Sequence, residues 1–474
     1  KYTDEATVIG SGTLTVTYES GRSYEVEQDG SIIQKEELTP EEAKKIVFAT
    51  EFGEGLLVET ADETVYYVDN LQQNVMQKIE ITDEKIITTN GIREAGVNYA
   101  ANYFIDNQGK VYTCGYNFWG ILGNGTDEEY SSNEPICISD LSGNVLNGKN
   151  IIEIQYINYT MIALDSEGKV YTWGRNWNGE LGNGTEDEYS SEPICISDIE
   201  GNALNGKNIV EIQGDNTKIA LDSEGKVYTW GKNEDGELGN GKDDEYSNEP
   251  ICISDLSESE LKGKNIVKVQ SEGYTMIALD SDGKVYTWGD NSDGQLGDGT
   301  GGEYGDYSNE PICISDLSES ELKGKNIVKV QSDGYTMTAL DSEGKVYTWG
   351  ENYEGQLGNG TDGNNSNKPI CISDIEGNTL NGKNIVEVKN SYNTVIALDS
   401  EGKVYTWGKN EQGQLLDGTT ENSNKPICIT DNEKSFIYNI YMENINVILR
   451  SGNIFIALIT QEGELYIWTI SWEI

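Results

Sequence analysis

The chain has 474 residues, with 82 acidic side chains against 33 basic ones and no histidine, for a net charge of −49. Such a surface repels nucleic acid and anionic membranes and attracts cationic partners. The missing histidine removes the usual general base, the histidine-dependent nucleophile systems and histidine-built zinc sites.

The first residue is Lys1, so a trimmed form is expected, its targeting segment not visible. Apolar runs such as "IFIALI" at 454–459 fall far short of the roughly 18–20 residues that cross a bilayer, and no membrane insertion is expected. Residues 1–43 are expected to hold a β-hairpin, "TLTVTYESGRSYEVEQ" at 13–28, and a short helix. The helix start is signalled in "LTPEEAKK" (38–45) by Thr39 as N-cap, Pro40 at the first helical position and Glu41 and Glu42 in the first turn. Residues 44–95 read as a degenerate copy of the unit repeated along the rest of the chain. "KKIVFATEFGEGLLVETADETVYYVDN" (44–70) has the apolar pattern of that unit, with a shortened return strand near "MQKIEI" (76–81).

Residues 96–474 are a repeat array. "ALDSEGKVYTWG" stands at 163–174 and returns unchanged at 220–231, 339–350 and 397–408, with Asp282 for glutamate in the copy at 278–289. Cys114, Trp173, Trp230, Trp288, Trp349, Trp407 and Trp468 mark seven registers, 57 to 61 residues apart. That period is too long for a helical solenoid and suits a four-stranded propeller blade with loops. "IALD" and "KVYTW" are short β-rich runs joined by Asp-Ser-Glu-Gly, an antiparallel hairpin whose glycine takes the turn. Apolar residues on both strand faces, such as Val170, Tyr171 and Trp173, fit a sheet covered on both sides. A glycine-rich turn, an acidic loop, a Pro-Ile-Cys strand and a "GKNIVEIQ" strand complete each unit. "GELGNGK" lacks the spacing of a phosphate-binding loop, and Asp243 follows Lys242 where Ser or Thr is required.

Six of the seven cysteines, Cys137, Cys195, Cys252, Cys313, Cys371 and Cys428, share the Pro-Ile-Cys context at the repeat spacing. Equivalent positions in successive units sit too far apart for a disulfide, so these thiols are expected to be reduced and buried. Cys114 could pair with Cys137 if their two strands are neighbours. No C-x-x-C is present to support a zinc or redox site.

The pattern "A-L-D-S-E-G-K-V-Y-T-W-G-x-N-x-x-G-Q-L-G-N-G" resembles the regulator of chromosome condensation repeat. Over about residues 96–474 the resemblance implies an all-β, seven-bladed β-propeller of four-stranded blades. The last copy reaches Ile474 after its first hairpin, so N-terminal strands are expected to complete it. Strands near 75–90 would make seven blades, the favoured count, and leave 1–70 as an appendage; strands within 1–35 would make eight. The resemblance does not imply one function, since the family includes a nucleotide exchange factor on chromatin, a plant ultraviolet receptor and a secreted bacterial β-lactamase inhibitor. Family repeats often carry His-Thr before "A-L". Here that first position is Tyr159, Asn216, Tyr274, Tyr335 and Asn393, which with the acidity argues against chromatin binding and nucleotide exchange.

Function is sought where the copies differ. The loop after "WG" or "CG" reads "YNFWG" (116–120), "RNWNG", "KNEDG", "DNSDG", "ENYEG" and "KNEQG", so Phe118, Trp119, Trp177 and Tyr353 decorate loops that need no aromatic residue to fold. Exposed aromatics on a rigid rim serve recognition, while packing against a neighbouring loop is the plainer explanation. A second loop, "TDEEYSSNEP" (126–135) and its successors, sets Asp127, Glu128 and Glu129 beside Tyr130, and other acids beside Tyr189, Tyr246 and Tyr307. Solubility explains such acids, and so does a docking arc for a basic partner; calcium is weakened by the lack of any defined ligand spacing. The expected function is a non-enzymatic acidic scaffold without cofactor or metal. It is expected to be monomeric, on the surface of or secreted by a bacterium, and to bind a protein with a basic surface, or a glycan, through residues between Tyr116 and Tyr307. The alternatives are a carboxylate-based glycan-active enzyme and a secreted enzyme inhibitor. Repetition argues against the enzyme, because the "DSEG" acids recur in every strict copy and a catalytic pair should be unique.

Overall fold

Each hairpin turn closes on one carboxylate. Oδ1 of Asp222 accepts the backbone N–H groups of Glu224 and Lys226, both at 2.9 Å, and Oδ2 accepts the Tyr228 hydroxyl at 2.8 Å. Asp165, Asp280, Asp341 and Asp399 repeat the arrangement, which is how a buried acid is tolerated in every strict copy. The turn then grips the following unit. Its glycine carbonyl accepts the first-strand N–H of the next sheet, Ile266 to Gly225 at 3.1 Å and Ile385 to Gly344 at 3.0 Å.

The computed structural model describes residues 101–127 and 132–430, apart from 302–304, 392 and 412. It also describes 46–52, 55–68, 76–78 and 86–96, and strands at 7–9, 13–17, 23–26, 32–35, 446–450, 454–459 and 465–470. They form nine four-stranded antiparallel sheets. Residues group into two units, Lys1–Phe118 with Thr126–Glu153 and Glu443–Ile474, and Trp119–Gly125 with Ile154–Met442.

The second unit holds five sheets, each with its strands in chain order, such as Ile209–Gly214, Thr217–Asp222, Val227–Lys232 and Tyr246–Cys252. In the first four of these sheets the two middle strands are almost wholly buried and the first and fourth are partly exposed; in the fifth, Ile396 and Leu398 of the second strand are exposed. Neighbouring sheets share their cores: Ile219, Leu221 and Val227 pack with Ile266, Val269, Met276 and Trp288 of the next. Each buried tryptophan also donates its indole N–H to a loop carbonyl of the preceding copy, Trp230 to Glu180 at 3.0 Å, Trp288 to Glu237 at 2.8 Å and Trp349 to Gln295 at 2.9 Å.

In the first unit, strands Ile92–Gly96, Ala101–Asp106, Val111–Gly115 and Ser132–Cys137 form the first copy. The last copy, Asn446–Arg450, Ile454–Ile459 and Leu465–Ile470, takes its fourth strand from Met76–Lys78, with Trp468 opposite Met76 and Tyr466 opposite Lys78. Seven sheets thus carry the seven repeat registers, and the fold is the all-β, seven-bladed propeller class. Two further sheets come from earlier residues, strands within 7–35 and the set Ile46–Phe52, Gly55–Thr60, Val65–Val68 and Ile86–Thr88.

Two expectations change. Completion of the last copy at 76–78 was to leave 1–70 an appendage, but 46–68 supplies three strands of a four-stranded sheet, completed by Ile86–Thr88, whose Leu57, Val65 and Tyr67 pack against Phe104, Tyr112 and Cys114. Among the Pro-Ile-Cys thiols only Cys313 and Cys371 are buried; Cys137, Cys195, Cys252 and Cys428 are half-buried, since all six stand on fourth strands, which are sheet edges covered to different degrees. All seven are free, Cys114 and Cys137 included, although their strands are neighbours. The helix expected at 38–45 lies outside the described residues.

Burial pushes Cys114 up to about 12 and Cys195, Cys252, Cys313 and Cys371 to about 11. Ellman's reagent at pH 8 is therefore expected to titrate Cys114, Cys195, Cys252, Cys313 and Cys371 slowly in the native protein and all seven thiols promptly in denaturant. The loop glycines give a second test. Gly239 has φ +62° and a Cβ there would lie 2.7 Å from Trp288 Nε1, whereas Gly263, at φ +72°, has open space around it. Gly263→Ala should cost only the left-handed backbone, about 1 kcal/mol. Gly239→Ala should cost roughly 2–4 kcal/mol in chemical denaturation because it also pushes on the indole.

Candidate functional site

Strand order sorts the connections into two ends. The turn from first to second strand and the loop from third to fourth lie at one end of every sheet; the "DSEGK" turns lie at the other. Both variable loops of the sequence therefore sit at the same end, joined by the first turns with Tyr159, Asn216, Tyr274, Tyr335 and Asn393.

The constant residues of the long loop pin its backbone. Asn233 Oδ1 accepts the Leu238 N–H at 2.9 Å, and its Nδ2 donates to the carbonyls of Lys242 and Asp244 at 3.1 and 2.7 Å. Thr229 Oγ1 donates to the Leu238 carbonyl at 2.6 Å. Asn176, Asn291, Asn352 and Asn410 repeat the Asn–Leu bond. The side chains between these pins are left to vary without unfolding the loop.

Of the expected contact residues, the structure brings two together. Trp119, half-buried and at φ +53°, packs edge-to-face on Trp177 at 5.3 Å and on Tyr159 at 4.8 Å. Trp177 is 54% exposed with the Arg175 guanidinium 5.2 Å above its ring. Phe118, also exposed, stacks on Tyr116 at 5.9 Å. Tyr353 is 61% exposed, a bare aromatic on its own loop. Tyr189, Tyr246 and Tyr307 are exposed, but the last two are tied down: Tyr246 donates to Glu186 at 3.2 Å and Tyr307 to Asp243 at 3.3 Å, with Asn248 and Asn309 donating to the same two acids. Part of the acidic loop thus braces one copy against the next. Asp127 is exposed, while Glu128, Glu129 and Tyr130 lie outside the described residues.

Sequence reasoning missed the residue directly after "WG" and its partner five positions on. Arg175 pairs with Glu180, Nη2 to Oε1 at 3.0 Å, and both are largely buried. Where the first residue is acidic, the second is glutamine: Gln295 Nε2 donates to Asp290 at 2.7 Å and Gln356 Nε2 to Glu351 at 3.2 Å. The signal was present in "RNWNGE", "DNSDGQ" and "ENYEGQ", where the two positions change together. Lys232 breaks the pattern. Its Nζ sits 2.7 Å from Glu234 and 4.8 Å over the Tyr274 ring, leaving Glu237 fully buried with Oε1 unbonded.

This end is short of positive charge. Burial raises the pKa of Asp235, Asp293 and Asp333, and raises Glu237 and Glu351 to about 7; neighbouring acids add to the shift at Asp235, Glu237, Asp293 and Glu351. Among the described residues none of these five forms an ion pair, and no cluster of three or more acids or cysteines is placed to hold a metal.

Comparison with known proteins agrees with this construction. The model of the regulator of chromosome condensation (RCC1) repeat matches residues 108–156, 167–214, 224–278, 282–339, 343–398 and 401–440. The chain is similar to human E3 ubiquitin-protein ligase HERC2, 30% identical over 321 residues, which is 67% of this chain but 6% of that protein. Among solved structures, human WBSCR16 has a TM-score of 0.56 at 21% identity, covering 77% of this chain and 84% of its own. Prp20p of Saccharomyces cerevisiae has 0.54 at 19%, covering 80% and 82%.

Glu237 offers a direct check on the electrostatics. An acid whose pKa is raised on folding stabilises the native state fully below the free-glutamate range, about 4.5, and loses that contribution as pH rises through about 7. Glu237→Gln should therefore match the parent near pH 4.5 and exceed it at pH 8, by on the order of 2–3 kcal/mol in urea unfolding.

Proposed function

The chain belongs to the regulator of chromosome condensation (RCC1) repeat family, and from that premise we propose that it is a non-enzymatic scaffold which binds a basic protein partner through the long-loop end of its sheets. A protein-binding role fits its relatives, among them Prp20p, described by its binding to Gsp1p and histones. The observation that carries the finer reading is the combination of a pinned backbone with uncompensated acids. Asp235, Asp290, Asp293, Asp333 and Glu351 share one end, and a lysine- or arginine-bearing surface would supply the charge they lack. The Trp119–Trp177–Tyr159 group adds apolar contact area of the kind that anchors interfaces. Charge then accelerates encounter and the aromatics slow release.

Affinity capture from extracts, followed by kinetics on the recovered protein, tests this. A partner with a basic surface is expected, with binding that weakens in salt. Asp290→Asn combined with Asp293→Asn and Glu351→Gln should lower the on-rate and flatten the salt dependence. Trp177→Ala should raise the off-rate, costing about 2 kcal/mol if it is a hot spot. Binding that ignores both sets of changes would refute the placement.

A further inference from the structure

One unit departs from the array twice in the same place. The second-strand residue opposite the blade tryptophan is Met161, Met276, Met337 or Val395 in four sheets and Lys218, opposite Trp230, in the fifth. The turn that precedes it is also shorter. Three residues separate Gln213 from Thr217, where four stand between Gln155 and Thr160, Gln270 and Thr275, and Gln331 and Thr336. Gly214 makes room, since a Cβ there would lie 3.0 Å from Lys218 Cδ.

Lys218 is fully buried, and its ammonium donates to the Asp215 carbonyl at the shortened turn. Burying a lysine is costly unless it is compensated, and four sister sheets fold with an apolar side chain in that place. Folding therefore does not require the charge. What surrounds it does use it. Glu180 and Asp215 both act on Lys218 as opposite charges, and Arg175 as a like charge. Glu180 in turn holds the loop that bears Trp177 at three points: Oε1 accepts Arg175 at 3.0 Å, Oε2 accepts the Asn178 N–H at 2.7 Å, and its carbonyl accepts the Trp230 indole at 3.0 Å. Arg175 also donates to Asn216 of the short turn at 3.3 Å and lies over Trp177. Asn158, beside Tyr159, donates to Asp215.

We infer that Lys218 is a positioning residue for the Trp119–Trp177–Tyr159 anchor, acting through the short turn, whose Asp215 carbonyl it holds and whose Asn216 accepts Arg175, to keep the Trp177 loop in one arrangement. The inference rests on the partner-binding reading for its purpose, but its test needs no partner. Without the ammonium the short turn loses the bond that holds its Asp215 carbonyl, and Asn216 and Asp215, the partners of Arg175 and Asn158, are free to shift with it. The groups facing Lys218 are Glu180 and Arg175 from the preceding loop and Asp215 from its own turn. Burial lowers the Lys218 pKa to about 8, so its proton is lost as the pH rises through that value.

Fluorine NMR of the full chain labelled with 5-fluorotryptophan, with Trp119 and Trp177 assigned by Trp→Phe variants, tests the claim. In Lys218→Met the Trp119 and Trp177 resonances should broaden and their solvent isotope shifts move toward those of free tryptophan, while Trp288, Trp349 and Trp407 stay put. Raising the pH from 7 to 9.5 should produce the same change in the parent and none in Lys218→Met. If that variant does not fold, Glu180→Gln, the residue used at Gln295 and Gln356, carries the comparison. Resonances of Trp119 and Trp177 that are alike in parent and variant and flat with pH would overturn the inference. Resonances that move while affinity for a captured partner is unchanged would uphold the positioning role and count against the partner reading alone.

Discussion

The hydrogen bond from a buried indole N–H to a carbonyl in the preceding copy's glycine-rich loop, repeated from Trp173 to Trp407, does two tasks at once. It satisfies the one polar atom of a side chain that otherwise supplies only apolar area to the space between sheets. It also fixes the backbone of the loop it reaches, and requires a residue without a Cβ where Gly182, Gly239, Gly297 and Gly358 lie against the ring. A loop held by its backbone leaves its side chains nearly unconstrained. Arg175, Asp290 and Glu351 occupy one structural position with opposite charges, and the fold absorbs the difference in the residue five places on, while Lys232 at the same position turns to Glu234 instead.

That division explains what the sequence disclosed. Whatever recurs could be read: the hairpin, the turn aspartate, the tryptophan register and the four-strand unit each appear several times, and repetition separates packing from accident. The aromatic loop residues were legible for the opposite reason, as departures that the fold did not require. Completion of the last copy by Met76–Lys78 was open because three residues with ordinary strand propensity carry no mark of the sheet they join. The pairing of Arg175 with Glu180 was missed because a spacing of five inside a loop matches neither helical nor strand periodicity. Lys218 was overlooked because it differs from Met161 by a single letter within a strand that otherwise conforms, and only its burial gives that difference weight. The half-burial of Cys195 was misjudged because the six Pro-Ile-Cys positions look alike in sequence, while the cover over each edge strand differs from copy to copy.

Charge at the long-loop end follows from the same freedom. Acids there serve two ends, as Glu186 and Asp243 tie the Tyr246 and Tyr307 hydroxyls of the next copy, while Asp293 and Glu351 are buried enough to hold protons more tightly than free carboxylates do. Carboxylates kept close together without cations resist ionisation, and a cationic surface placed over them would relieve that resistance. The "DSEGK" end is different in kind. Its lysines are already engaged, Lys169 with Asp198 at 2.8 Å and Lys345 with Asp374 at 2.9 Å, and its geometry is nearly the same from copy to copy.

The most direct test of where this scaffold works is hydrogen-exchange mass spectrometry on the intact protein, free and with a captured partner. Protection should appear in the loops 175–181, 232–238, 290–296 and 351–357 and in the turns around 215 and 333, while the "DSEGK" turns exchange as they do in the free protein. Protection confined to the "DSEGK" turns, with the long loops unchanged, would contradict the assignment of recognition to the loops that the tryptophans hold.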